Sequence, residues 1–278
     1  MPELPEAEVA SRQLRARILG ATVKDCRVGR ADIVREGFET LSWYRGARID
    51  GIERRGKCVV LSLSRAGETR YLVAELGMTG LLLFSSVKMK HPHHTHVVLA
   101  LAGALEPELR YWNPRRFGRI YLLAKEGLDR FTARRFGCDP LTVTREDFAG
   151  LIRARRGRLK SLLMHQQVIA GIGNIYANEI LFRARLHPHR IASRVKRDRI
   201  DCLYDAMRHV LLDAIDCGGS SVRDFFAPDG TEGRYKQRHL VYAKAGEPCP
   251  NHCGRTIRRL RGERSSFYCP LCQRRSGT

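Results

Sequence analysis

The spacing of apolar and polar positions changes period twice along the chain. Near the start, Ala7, Ala10, Leu14 and Ile18 fall on one helical face, with Pro5 suited to the first turn and Gly20 to the stop. From about residue 21 to 123 the apolar runs are short. They lie at 57–63, 70–76, 81–84, 96–101 and 119–123, parted by Gly, Ser and charged turns, and predict a β-sandwich or barrel. Helical spacing then returns. Thr144-Arg-Glu-Asp147 reads as a capping box ahead of Phe148, Leu151 and Ile152. From 158 to 218 the pattern predicts almost continuous helix. Its clearest stretch puts Ile200, Leu203, Tyr204, Met207, Val210, Leu211, Ala214 and Ile215 on one face and ends at Gly218-Gly219. Residues 219–245 are Gly-rich and loop-like, and no internal repeat or low-complexity segment occurs.

These periods predict a multidomain α+β chain: a leading helix with a β-sandwich over 1–133, a helical domain over 134–245 and a small cysteine module over 246–278. At 278 residues there is length for two domains and an appendix. No apolar run is long enough to span a membrane, and the N-terminus lacks the apolar core of a secretory signal. Fifty Lys and Arg against 29 Asp and Glu give a formal charge of +21, which points to a polyanionic partner, nucleic acid first. Nine cysteines without a secretion signal imply a reducing, cytoplasmic compartment. Cys26, Cys58, Cys138, Cys202 and Cys217 are scattered and read as packing thiols. Cys249-x-x-x-Cys253 and Cys269-x-x-Cys272, fifteen residues apart, fit one structural zinc in a ribbon. His252 stands at the shorter Cys-x-x spacing and is an alternative ligand to Cys253. The module carries seven Arg against two acids.

Chemistry is concentrated at the N-terminus. Removal of Met1 would expose the secondary amine of Pro2, which can attack an aldehyde-level carbon without a cofactor. Glu3 beside it can exchange protons with the adduct. The helix N-terminus favours the neutral amine, while the charges of Glu3 and Glu6 favour the ammonium. Farther on, Gly171-Ile-Gly173-Asn174 offers a tight turn between helices, where Asn174 and the following amides suit a phosphate. Lys57 ends a hairpin after Arg54-Arg55-Gly56. Met78 in Gly-Met-Thr-Gly, and Arg115 with Phe117 in Asn-Pro-Arg-Arg-Phe-Gly, sit in loops. Histidines cluster at His91, His93, His94 and His96, where a metal site is the less favoured reading.

Together these stretches resemble the bacterial formamidopyrimidine-DNA glycosylases. Met-Pro-Glu-Leu-Pro-Glu matches the family's opening, and Leu4 favours the purine branch over the endonuclease VIII branch, which usually has Gly there. The resemblance covers essentially the whole chain. It implies a bifunctional glycosylase and abasic-site lyase acting on double-stranded DNA with oxidised bases or abasic sites, as a monomer near the nucleoid, with zinc and no organic cofactor. It assigns Pro2 as nucleophile, Glu3 as acid, and Lys57 and Arg264 as helpers of elimination. Met78, Arg115 and Phe117 become the intercalating trio, and His94, Arg155 and Asn174 become DNA contacts. Two departures stand out: His165-Gln166 replaces the usual Asp-Gln, and Gly233-Arg234-Tyr235-Lys236 replaces Gly-x-Phe-Gln within the lesion-capping segment 218–242. The second keeps oxidised pyrimidines open as substrates. From another class, a zinc-ribbon protein that binds damage without cutting is the rival.

Overall fold

The computed structural model describes residues 2–88, 92–221 and 225–275. Its contacts divide the chain into two compact units, Met1–Arg134 with Ile215–Lys236, and Arg135–Ala214 with Gln237–Thr278. The segment 215–236, which its composition groups with the helical region, is therefore built into the first unit.

The first unit opens with α1 (Leu4–Ile18), which has Pro5 in its first turn and ends ahead of Gly20, where φ is +83°. Strands β1 (Thr22–Val28), β2 (Val34–Glu36), β3 (Arg48–Arg55), β4 (Cys58–Arg65), β5 (Glu68–Glu75), β6 (Leu81–Phe84), β7 (Thr95–Ala102), β8 (Glu108–Trp112) and β9 (Arg119–Leu123) follow, then helix α2 (Lys125–Arg135). The sheet order is β2-β9-β5-β4-β3-β1-β7-β8-β6. All neighbours are antiparallel except β2 with β9. Between β1 and β3 the ladder narrows to the single pair Thr22↔Arg48. That seam lets the sheet fold over itself as a sandwich. The inward residues of both halves, among them Val23, Leu99, Leu109, Ile49, Leu61, Leu72 and Leu122, share one core with Ala7, Ala10, Leu14 and Ile18 of α1.

β6 is the exception to alternation, because all four of its residues are buried. Leu82 and Phe84 enter the sandwich core, whereas Leu81 and Leu83 pack against Phe225. The segment 225–228 thus covers the outer face, fixed by the Phe84 amide on the Pro228 carbonyl at 2.9 Å. A strand buried on both faces reads as an unbroken apolar run.

The second unit contains α3 (Arg145–Arg153), α4 (Leu159–Leu163), α5 (Asn174–Arg183), α6 (Arg197–Asp216) and the hairpin β10 (Arg258–Leu260) with β11 (Ser266–Tyr268). Thr144 caps α3 by accepting the Asp147 amide, as its sequence suggests. The expectation of near-continuous helix over 158–218 is corrected. Residues 164–173 and 184–196 are turns and short 3-10 segments. Glycines at 171 and 173 and the Pro188 break supply the physical reason, since neither residue type favours a helix interior.

Candidate active site and nucleic-acid interface

Pro2 and Glu3 are buried at the entrance to α1, Glu3 being only 1% exposed. A capping box holds them. The Glu3 side chain receives the Glu6 amide, and the Glu3 amide donates to Glu6 Oε2 at 2.7 Å. The other Glu6 oxygen accepts the Ser220 amide at 2.7 Å. One carboxylate therefore ties the predicted reactive residues to the base of the 217–235 loop. Gly219, at φ +85°, leaves room for it: a Cβ there would lie 3.0 Å from Glu6 Oε1. The loop closes on itself through Tyr235 N–H to the Gly219 carbonyl at 3.0 Å and Arg234 N–H to the Cys217 carbonyl at 2.9 Å. Tyr235 is buried here and Arg234 exposed. Positions 222–224 lie outside the described residues, as does Met1.

Lys57 sits in the two-residue turn of the β3–β4 hairpin, after Gly56 at φ +58°. Glycine at the first turn position with positive φ is the II′ geometry that matches strand twist. α1 packs on β3 and β4, and Arg15 donates to the Ile52 carbonyl at 2.5 Å, so helix and hairpin form one block.

Two more loops are locked together in the same unit. Thr79 Oγ1 donates to Asn113 Oδ1 at 3.1 Å, Asn113 Nδ2 to the Tyr111 hydroxyl at 3.0 Å, and that hydroxyl to the Glu75 carbonyl at 2.7 Å. Gly77 and Gly118 touch backbone to backbone; a Cβ on Gly77 would lie 2.4 Å from the Gly118 nitrogen. On this rigid base Met78 is 39% exposed and Phe117 56%, unusual for large apolar residues. The Arg115 guanidinium stacks over the Phe117 ring at 4.9 Å. His94 joins the group: its carbonyl accepts the Asn113 amide at 2.9 Å, and its ring lies edge-on to Trp112. His96 is buried and bonded to the Asn113 carbonyl at 3.0 Å, and burial pushes its imidazole below the usual range. Exposed apolar wedges beside a guanidinium on a stiff platform are suited to entering a base stack.

The second unit carries the other predicted residues. Asn174 opens α5 after Gly173, and its carbonyl accepts Asn178 Nδ2 at 2.6 Å. The turn before it is set by Gln166, which donates to the Ile172 carbonyl at 2.8 Å and accepts the Gly171 amide at 2.9 Å. His165 is exposed, and its carbonyl receives the Val168 and Ile169 amides. Arg155, just past the end of α3, donates back to the Leu151 carbonyl at 2.9 Å.

Arg264 is exposed in the β10–β11 turn. Sequence reasoning missed what holds that turn. Lys160, 5% exposed, donates from Nζ to the Ser265 carbonyl at 2.7 Å and to Ser266 Oγ at 2.9 Å. Asn178 Oδ1 accepts the Phe267 amide at 2.7 Å, and Glu179 accepts the amides of Leu240, Val241 and Tyr242 at 2.7–3.0 Å. Burial pushes the Glu179 carboxyl up against the pull of these three donors. The only signal in the sequence was the presence of polar residues on otherwise apolar faces.

The sulfurs of Cys249, Cys253, Cys269 and Cys272 lie within 4.8 Å of one another, with Cys249–Cys272 at 3.8 Å and Cys253–Cys269 at 3.4 Å. Four thiolates about 2.3 Å from one ion would stand close to these separations, so the set fits tetrahedral zinc. Bound zinc supplies a cross-link to the ribbon. The fourth ligand is Cys253, since His252, at φ +51°, is not in the group. Among the described residues no histidine cluster forms a comparable site, and His91 lies outside them. No helix among them is long and apolar enough to cross a membrane.

Comparison with known proteins agrees with this geometry. Residues 1–120 match the family model described as the formamidopyrimidine-DNA glycosylase N-terminal domain, and 136–226 match the H2TH domain of that family. A formamidopyrimidine-DNA glycosylase of Solibacter usitatus is 40% identical over 280 residues, spanning 99% of this chain and 100% of the relative. The crystal structure of the MutM (Fpg) protein from Thermus thermophilus superposes with a TM-score of 0.85 at 36% identity, covering 99% of this chain and 100% of that one. Lactococcus lactis Fpg in complex with DNA containing an abasic site gives 0.85 at 30% identity over 98% and 99% of the two chains. With two family models covering most of its length, and relatives matched end to end, the chain belongs to the formamidopyrimidine-DNA glycosylase family.

Proposed function

We propose that the chain is a base-excision repair glycosylase and abasic-site lyase that removes oxidised purines, 8-oxoguanine and formamidopyrimidines, from double-stranded DNA. It acts as a monomer in the cytoplasm, at the nucleoid. The observation that carries the reading is the buried Pro2-Glu3 pair, held by Glu6 at the start of α1 and joined through Ser220 to the loop beside it. A protein that only bound damage would have no use for a secondary amine fixed beside a carboxyl.

In this reading Met78, Arg115 and Phe117 fill the gap left when the damaged nucleotide is turned out, at a cost of a few kcal/mol of stacking. With Met1 removed, the neutral Pro2 nitrogen forms a bond to C1′ of the deoxyribose. The glycosidic bond breaks towards the base, which leaves with a proton. Glu3 protonates the ring oxygen as the sugar opens, giving an iminium on Pro2. Loss of a C2′ proton expels the 3′ phosphate, and a second elimination expels the 5′ phosphate. Lys57 assists proton transfer, and Arg264 binds the flanking phosphates. Asn174, His94 and Arg155 supply backbone contacts, which position the duplex without reading its sequence.

Borohydride trapping tests this on duplexes with 8-oxoguanine opposite cytosine, with a thymine-glycol duplex alongside. An adduct mapped to Pro2 on the 8-oxoguanine duplex, lost in Pro2→Gly, is the expected result. Trapping only on thymine glycol would move the substrate to oxidised pyrimidines. Tight binding without any adduct, on protein with a verified Pro2 terminus, would replace the enzyme by a damage-binding protein.

A further inference from the structure

The turn that carries Lys57 is clamped from both sides by the two arginines that precede it. Arg55 donates to Thr132 Oγ1 of α2 at 2.8 Å. Arg54 turns the other way, with Nε on Glu8 Oε2 of α1 at 3.0 Å and Nη1 on the Gly56 carbonyl at 3.2 Å. Its side chain is 6% exposed and that of Glu8 18%. Glu8 Oε1 also takes Arg12, at 2.8 Å, but the Arg12 side chain is 52% exposed. Burial alone would raise the Glu8 carboxyl, but the hydrogen bonds and charges of Arg12 and Arg54 outweigh it and hold the group below the usual carboxylate range.

A buried guanidinium is a poor route to stability, because desolvation cancels much of its attraction. What this one does geometrically is specific. It joins the helix that Glu3 caps to a carbonyl inside the turn that bears Lys57. A lysine has a flexible four-carbon stem, so the reach of its ammonium depends on how firmly its Cα is held. We propose that Glu8 and Arg54 are positioning residues that fix Lys57 relative to the Pro2-Glu3 end of α1 and thereby set the rate of the elimination steps.

This inference rests on the role given to Lys57 above, and the test separates the two. Single-turnover rates on a duplex with a preformed abasic site are measured for Lys57→Ala, Glu8→Gln, Arg54→Met and the Lys57→Ala combinations, alongside borohydride trapping. Glu8→Gln keeps the shape and removes the charge, so it serves if Arg54→Met folds poorly. The expected result is that each single change slows elimination about tenfold or more, in line with the cost of a small misplacement. Trapping at Pro2 should persist, and uncleaved adduct should accumulate. In the Lys57→Ala background neither Glu8→Gln nor Arg54→Met should slow elimination further, and Arg54→Lys should restore part of the rate. Arg12→Ala should leave it unchanged. If Lys57→Ala itself changes nothing, the reading of Lys57 fails. If Lys57→Ala slows elimination but Glu8→Gln and Arg54→Met do not, or if their effects multiply with it, the positioning role is overturned.

Discussion

The sandwich and the zinc ribbon present the residues proposed for function by opposite means. In the first unit the loops of Met78, Arg115, Phe117 and Lys57 stand on a core that draws on α1 and both halves of the sheet. The ribbon's apolar support is small: Phe182, Val241, Cys249, Ile257, Phe267 and Cys269, two of which are metal ligands. Arg264 is therefore held by a metal cross-link and by polar bonds from the helices of its own unit, chiefly Lys160, Asn178 and Glu179. The contrast teaches where each region is vulnerable. One fails by losing packing, the other by losing an ion or a buried donor.

Metal removal should show the largest difference. Structural zinc in small modules is worth about 10–16 kcal/mol of binding free energy. Chelation, or Cys269→Ser, is expected to abolish hydrogen-exchange protection in β11 while β4 and β5 keep theirs, with metal content read in parallel. Equal loss in both regions would end the comparison. Lys160→Met comes next. It strips the donor from the Ser265 carbonyl and Ser266 Oγ, each buried group costing about 1–3 kcal/mol when left unpaired. Protection in β11 and affinity for abasic DNA should both fall, with zinc retained.

A smaller effect is expected within the first unit. Thr79→Val removes the bonds to Asn113 and to the Arg115 amide, costing about 1–2 kcal/mol. Thermal melting reads the cost. A 2-aminopurine opposite the lesion reads slower nucleotide extrusion, and unchanged extrusion would show that the locked loops are not needed to aim the wedge.

Acid sharpens the same contrast. His187, buried against Tyr268, is pushed down to about 4 by burial, with His189 and Arg275 adding to it. The unfolded chain binds this proton near pH 6.5, so His187 costs the second unit stability as pH falls from about 6.5 towards 4. The Glu8 carboxyl is also depressed. Its contribution is intact above the ordinary carboxylate range and is lost only below it, as pH falls through the folded value. Between pH 6.5 and 5 the second unit, where burial depresses both His187 and His189, should therefore soften more steeply than the first, where His96 acts in the same direction; His187→Asn should flatten the slope of the second, measured by urea unfolding. At the bottom of the scale, Arg12→Ala should shift melting by less than about 0.5 kcal/mol, since an exposed ion pair contributes little.

Much of this was legible in the sequence because it depends on local rules. The helical face of Ala7 to Ile18, the Thr144 cap and the runs at 81–84 and 119–123 appear as elements where the periods predict them. The four thiols were marked by spacing alone, since their chelate geometry is set by two short turns. Local pattern failed where tertiary partners decide. Helix α2 went unpredicted because its buried apolar content is little more than Leu128 and Phe131, too few positions to show a helical period, and Phe131 is covered by Tyr121 of the preceding strand only once the chain folds back on it. The overlong helix between 158 and 218 arose because amphipathic spacing persists through turns that Gln166 organises.

By itself, then, the sequence determined the family, the change from sheet to helix along the chain, the Pro2-Glu3 pair proposed as reactive and the clustered thiols, all of which rest on residue type and near-neighbour spacing. Tertiary structure alone decided the rest. Glu6 reaches Ser220 across 214 positions, Arg54 reaches Glu8 across 46, and Lys160 reaches Ser266 across 106. It also decided that 225–228 covers β6 and that Cys253 rather than His252 completes the thiol group. The physical reason is the same each time. A buried polar group must find a partner, and which partner it finds is set by the packing of elements far apart in the chain.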